Sequence, residues 1–175
     1  MKESPSIKSR SRRDSSIRRN QFDESKIKMS LDYIFGRNIS KRINFSTFSY
    51  IHSRKTGRLK QIEMPPNGRV QFTFRPNGTI APTVSGAPFL ASGKSNPKSR
   101  NIVTVIDGVS EVVGGGKTVF CKHVVSCSDS LRAGEDIVII NEKRKLLAVG
   151  RAVLNGPAMK QFKRGQAVKV REGSQ

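Results

Sequence analysis

Acidic residues are scarce in this chain: 13 Asp and Glu stand against 33 Lys and Arg in 175 residues, a formal net charge of +20. Such an imbalance points to a polyanionic partner, because neutralising phosphates releases counterions and drives binding without any shape recognition. Nucleic acid is the first candidate and an anionic membrane surface the second. Long apolar runs are missing too. Nothing approaches the ~18 apolar residues of a spanning helix, and no amphipathic basic helix stands out, so the membrane reading has no support. The basic N-terminus has no apolar segment behind it, which excludes a secretory signal and leaves a cytoplasmic reading. Cysteine is limited to Cys121 and Cys127, too few for a disulfide framework. With His123 they spell Cys-x-His-x3-Cys, but a structural zinc site wants four N or S ligands, and the only other histidine is the distant His52. We assign no metal and no cofactor. Hydrophobic residues make up 35% of the chain, fewer than a typical globular protein carries, so part of the length is expected to be unfolded.

The charge is uneven along the chain. Residues 1–28 hold nine Lys/Arg and four Asp/Glu with many serines, and only Ile7, Ile17, Phe22 and Ile27 could pack. Such a segment buries too little apolar surface to offset its ordering entropy, so it is expected to be disordered. Two readings stand: a basic arm that tracks a phosphate backbone, or a stretch that is not translated, with the start at Met29. Residues 29–100 carry twelve basic and two acidic side chains, and residues 101–175 carry twelve and seven. Solvated faces usually mix signs, so the near-absence of acids before residue 100 favours a phosphate-facing surface.

From Leu31 the pattern becomes structured. Leu31–Gly36 is a short apolar run ended by glycine. Four strands follow, near Phe48–His52, Arg58–Ile62, Arg69–Phe74 and Thr79–Val84, the last an edge because it contains Pro82. They are joined by Ser53–Gly57, by Pro65-Pro-Asn-Gly68, read as a type I′ hairpin, and by Pro76-Asn-Gly78. Val70, Phe72 and Phe74 alternate with polar residues, so this meander has one apolar face. A short helix from the Leu31 or Ala87–Leu90 region is expected to cover it. The tip residues Arg54, Lys55 and Arg58 are candidate phosphate contacts. Residues 29–92 thus form a small α+β accessory domain, and Ala91–Arg100 has the composition of a loop, with a linker at residues 93–100.

Residues 101–173 alternate short strand-like runs with turn clusters, the rhythm of a small closed β-barrel. Val109–Val113 fits a single helical turn. Gly114-Gly-Gly-Lys-Thr118 mimics a phosphate loop but lacks the required spacing and precedes a strand, so an NTPase is rejected. Its glycines admit close approach of a neighbouring strand or of RNA. Ala148, Gly150 and Ala152 put small side chains on one strand face, either for packing or as a shelf for a nucleotide. Asn155 is a helix N-cap for Pro157–Lys163, with Gly165 beyond the end. Lys160, Lys163 and Arg164 complement that helix dipole and are candidate RNA contacts.

Asp32-Tyr-Ile-Phe-Gly36, Ser53-Arg-Lys-Thr-Gly-Arg58, Arg75-Pro-Asn-Gly78, Gly86-Ala87 and the whole of Gly116–Gly173 resemble the C-terminal accessory region of archaeal archaeosine tRNA-guanine transglycosylases. The related archaeosine synthases share that region. Gly116-Lys-Thr-Val-Phe-Cys-Lys-His-Val124 and Leu147-Ala-Val-Gly-Arg-Ala152 are the more specific motifs, and the resemblance spans roughly residues 30–173. It implies a fold that is mainly β with minor α, a small α+β domain followed by a PUA-type pseudo-barrel. In that family this region grips the acceptor stem and 3′ end of tRNA, while a zinc-containing TIM barrel exchanges the base. No such barrel, aspartate pair or zinc ligand set fits in this sequence. The resemblance therefore implies tRNA binding without base exchange, and Gly115, Gly116, Lys117, Phe120, Lys122, Gly150 and Arg151 as the RNA face.

The expectation is a non-catalytic RNA-binding protein. It would be a detached subunit or accessory factor of tRNA modification, partnered with tRNA and with a separate catalytic transglycosylase or archaeosine-forming chain. A ribosome- or rRNA-associated factor is the alternative, with a stand-alone RNA-modifying enzyme behind it. The barrel's acids, Asp107, Glu111, Asp129, Glu135, Asp136, Glu142 and Glu172, form no nucleophile–base–orienter set, and most of them sit in turns.

Overall fold

The computed structural model describes residues 7–91 and 100–175, with side chains from residue 21 onward. The expected linker lies outside these residues apart from Arg100, as do residues 1–6. The first element corrects the sequence reading. Residues 7–28 are not disordered but belong to α1 (Ile7–Phe35), a 29-residue helix. Ile27, Leu31 and Phe35 recur every four residues and are fully buried, which gives the helix its apolar stripe. Burying each contributes about 1.5–3 kcal/mol. Gly36 ends the helix at φ +125, and its amide bonds back to the Asp32 carbonyl. The Asp32 side chain accepts from the Ser40 amide (2.7 Å) and hydroxyl (2.9 Å), which fixes the 3-10 turn Ser40–Arg42. That bond explains the Asp32–Gly36 motif as a helix-exit device.

Strands β1 (Ser49–His52), β2 (Leu59–Met64), β3 (Arg69–Phe74) and β4 (Ile80–Pro82) form an antiparallel meander in sequence order. Helix α1 and the short α2 (Ala87–Ala91) cover its apolar face, burying Ile62, Phe72, Ile80 and Leu90. A His52–Asp23 bond of 2.6 Å ties β1 to α1. The β2–β3 turn is not type I′: Gly68 has φ +60, but Asn67 is not left-handed, and that turn needs both.

The second unit comprises β5 (Ile102–Val105), α3 (Ser110–Gly114), β6 (Val119–Phe120), β7 (Val124–Cys127), β8 (Asp136–Asn141), β9 (Leu146–Ala152), α4 (Gly156–Gln161) and β10 (Gln166–Gly173). Its sheet runs β6-β10-β9-β8-β5-β7, antiparallel except for β5 against β8, and curls into a pseudo-barrel. Cys121 and His123 recur at period two, which reads as one continuous strand, but the structure does not make it one. A 3-10 turn, Cys121–His123, breaks it between β6 and β7 and carries the chain round the barrel end.

The two units share one core. Ile102, Val138, Ile140 and Val149 of the barrel pack in the same cluster as Leu31, Phe35 and Phe72. Polar bonds reinforce the seam. Asp136, 4% exposed, takes both Arg75 guanidinium nitrogens and Nη1 of Arg171 (2.7 Å). Arg171 Nη2 also donates to the Pro82 carbonyl on edge strand β4. The Val84 amide donates to Glu172 (3.1 Å), and Arg100 Nε to the Ile34 carbonyl (2.9 Å).

Candidate nucleic-acid interface

The thirteen candidate residues fall in three places: the barrel, the seam and the β1–β2 tip. In the barrel they divide between the two ends of β10, and the first group is the turn after α3, packed beside Gly173 at the C-terminal end of that strand. There the amide of Lys117 bonds to the Val112 carbonyl and that of Gly116 to the Val113 carbonyl, with Gly116 at φ +88. This is a Schellman cap on α3, with Gly116 in the left-handed position only glycine adopts easily. The Gly115 amide is used as well, on the Glu111 carbonyl. None of these three amides is left to cradle a phosphate. The outer surface of Gly115 and Gly116 and the Lys117 side chain remain exposed. Gly114 is held inward by the C-terminal strand: a Cβ on Gly173 would lie 2.0 Å from the Gly114 carbonyl.

At the other end of β10, Phe120 is 43% exposed and pairs with Gln166. Exposed Lys122 stands on the 3-10 turn, whose first amide, that of Cys121, bonds to the Gly165 carbonyl. That bond brings the turn against the segment holding Lys163 and Arg164. The sequence placed Lys163 at the end of the helix and Arg164 just after it, but α4 ends at Gln161 and both lie in the exposed turn beyond it. Asn155 caps α4 through the Ala158 amide, 2.9 Å. Lys160 is occupied by Asp129, whose hydrogen bond raises the ammonium pKa, so it is the weakest of these candidates. Phe162, 49% exposed, was missed. Its signal was present: an aromatic at the end of a helix with Lys160, Lys163 and Arg164 around it.

The second place is the seam. Arg151 is exposed on β9, directly opposite Lys169 on β10, and its Nε donates to the Gly134 carbonyl at 2.7 Å. Gly150 is not a shelf. It is buried, and a Cβ there would sit 2.5 Å from the Lys169 carbonyl, so the glycine lets β9 and β10 approach. Ala148 and Ala152 likewise fill the barrel core. The third place is the β1–β2 tip. Arg54, Lys55 and Arg58 are exposed there around Gly57, which has φ +65. Arg58 borders a groove of about 1030 Å³ between α1 and the hairpins, with Phe22, Lys26 and Lys60.

Among the described residues, no three His, Cys, Asp or Glu side chains converge as a metal site would need. Cys121 is buried, and burial pushes its thiol pKa up. The Cys127 thiol is also raised by burial, against the lowering effect of Lys160, and its Sγ lies 3.4 Å from the Gly156 carbonyl. No helix of the described residues is long and apolar enough to cross a membrane.

Comparison with known proteins accounts for both units. Residues 25–97 match the patch-forming domain C2 of tRNA-guanine transglycosylase, and residues 101–173 match the PUA domain. The tRNA-guanine(15) transglycosylase of Methanocaldococcus jannaschii is 35% identical over 152 residues, 86% of this chain and 23% of the relative. That of Thermoplasma acidophilum is 34% identical over 152 residues, again covering 23% of the relative. The chain thus spans about a quarter of the length of the curated relatives it matches. A hypothetical protein from Pyrococcus horikoshii OT3 superposes with a TM-score of 0.68 at 26% identity, covering 87% of this chain and 90% of that one. A conserved PUA domain protein from Thermoplasma acidophilum gives 0.54 at 25% identity, covering 72% and 75%. With its α1-covered meander matched as a C2 domain and its pseudo-barrel as a PUA domain, the chain is homologous to the region of the archaeal tRNA-guanine transglycosylases that these relatives share with it.

Proposed function

We propose that the chain is a non-catalytic RNA-binding module whose barrel end holds the acceptor stem and 3′ end of tRNA. On this reading it acts in the cytoplasm, delivering that tRNA to a separate transglycosylase or archaeosine-forming chain. The observation that carries the reading is the barrel end itself. Where β10 begins, Phe120 and Phe162 are half-exposed aromatics, and Lys122, Lys163 and Arg164 have no carboxylate partner among the described residues. Exposed rings on which unpaired bases stack, beside cations that follow the backbone, are what single-stranded RNA ends require. The two transglycosylase relatives act on tRNA by their names, and this chain matches a non-catalytic quarter of each.

The acids support the absence of chemistry. Asp129 is paired with Lys160, Glu135 with Arg100, Asp136 with Arg75 and Arg171, and Asp107 with Lys143. Glu142 and Glu172 accept backbone amides. Carboxylates engaged in this way are poor candidates for a base beside a nucleophile; Asp107 Oδ1, buried without a hydrogen-bond partner, and the exposed Glu111 lie outside that set.

The test is binding to purified tRNA with and without its 3′ CCA, across a salt series, for the wild type and for Lys122→Ala and Arg164→Ala. We expect CCA-dependent binding, with each substitution lowering the salt slope by about one. Equal binding to any RNA, or tighter binding to rRNA fragments, would sink the acceptor-end reading. Incorporation of guanine into tRNA by the pure protein would overturn the non-catalytic one.

A further inference from the structure

The seam between the two units holds a cavity of about 240 Å³ that the barrel-end reading does not use. Four arginines line it, Arg75, Arg100, Arg132 and Arg151, against two carboxylates, Glu135 and Asp136. The carboxylates are already committed. Asp136 is clamped by Arg75 and by a further arginine, Arg171. Glu135 lies 3.5 Å from Arg100 and accepts the Arg132 amide at 3.1 Å. The guanidinium of Arg132 has no carboxylate partner among the described residues, and Arg151 spends only its Nε, on the Gly134 carbonyl. Both side chains are exposed at the mouth. Tyr33 of α1, 82% exposed, stands on the rim, and Lys169 lies across the strand from Arg151.

We infer that this seam is a second binding site, for a phosphodiester of the RNA backbone, so that one RNA is held by both units at once. The inference rests on the reading of the chain as an RNA-binding module. A small cavity with surplus guanidiniums suits a phosphoryl oxyanion, because the planar fork of arginine donates two parallel hydrogen bonds to it. RNA is favoured over a free anion by the surroundings. Lys169 extends the positive surface out of the cavity along the barrel, and the exposed Tyr33 ring offers a stacking face beside it. The site is also pre-formed. The Asp136 clamp and the shared apolar core fix the two walls relative to each other, so binding costs little reordering.

The experiment compares tRNA affinity of the wild type, Arg132→Gln, Arg132→Gln/Arg151→Gln, and the barrel-end variant Lys122→Ala/Arg164→Ala, with thermal melts as controls. The Arg132→Gln single variant guards against loss of the structural Arg151–Gly134 bond. The seam double variant is expected to bind about tenfold more weakly at low salt, with a salt slope reduced by about two, while retaining preference for the CCA end. The single variant should show about half of the slope change, with its melt unmoved. Loss in the barrel-end variant with none in either seam variant would overturn the seam site and leave the proposed function standing. Loss in the seam variants alone would do the reverse. In parallel, amide NMR shifts at Tyr33, Arg132 and Arg151 would be followed on adding tRNA or inorganic phosphate. Shifts with tRNA are expected; shifts with phosphate and none with tRNA would make this a free-anion site and overturn the proposal.

Discussion

Replacing Asp136 by asparagine removes one negative charge from the point where two guanidiniums from opposite sides of the seam converge. The side chain is 4% exposed, while those of Arg75 and Arg171 are 29% and 38% exposed. Breaking a fully buried ion pair costs about 3–5 kcal/mol, chiefly because the surviving charge is stranded. Here solvent reaches both arginines and an asparagine oxygen still accepts one hydrogen bond, so we expect a loss of about 2–3 kcal/mol. For a chain of this size that corresponds to a fall in Tm of roughly 5–10 °C. Calorimetry and urea unfolding would read it, with Arg171→Gln and the double variant completing a cycle. The two substitutions should be sub-additive by about 1–2 kcal/mol, since each removes the same contact. A loss below about 0.5 kcal/mol, or strict additivity, would refute the claim that this triad holds the units together. The Arg75 guanidinium is raised above its ordinary pKa by its hydrogen bond to Asp136, so its charge persists at any working pH.

Tyr50 is pushed up to about 12, first by burial and then by the nearby charges of Glu24 and Asp23. In Tyr33→Phe it is the only tyrosine left, so phenolate absorbance should titrate near 12. The folded state holds that proton more tightly than the unfolded chain, so its contribution is intact below pH 10 and is lost between 10 and about 12. A midpoint near 10 in the folded protein would refute the burial argument. Gly116→Ala meets no atom within 4 Å and should cost only the left-handed backbone penalty, about 1 kcal/mol. Gly150→Ala places its Cβ 2.5 Å from the Lys169 carbonyl and should cost clearly more; equal urea midpoints would refute the packing role. Cys121 is buried and its thiol raised, so alkylation at neutral pH should require unfolding. Modification at the rate of a free thiol would contradict its placement in the core.

Local signals in the sequence located most strands and the capped start of the last helix, because each depends on neighbours in the chain. The Asn155 cap, the Gly57 turn and the alternation of Val70, Phe72 and Phe74 are of this kind. The Gly116 cap of α3 and the end of α4 at Gln161 went unread. The long first helix was lost for a specific reason. Its apolar stripe is Ile27, Leu31 and Phe35, and a boundary drawn at Met29 cuts that stripe between its first and second members. What remains on the N-terminal side is charge and serine, which reads as disorder although the helix carries it. The break at Cys121–His123 was invisible because alternating apolar residues describe a strand and a 3-10 turn equally well over so short a run.

The seam was illegible in principle. Asp136 looks like the end of a turn in the sequence, and its partner Arg75 is 61 residues away. No periodicity links the two, nor either to Arg171. A composition boundary near residue 92 separates chain segments, yet Ile102, Val138 and Val149 lie in the same core as Leu31 and Phe72. Mechanically the C2 and PUA units are one body. The basic side chains of residues 29–100 include Arg75 and Arg100, which meet Arg132 and Arg151 of the barrel at this junction. Whether an RNA recognises the chain at one surface or two turns on that junction. It is also the place where a conservative substitution such as Arg132→Lys should be least tolerated, since an ammonium keeps the charge and loses the fork.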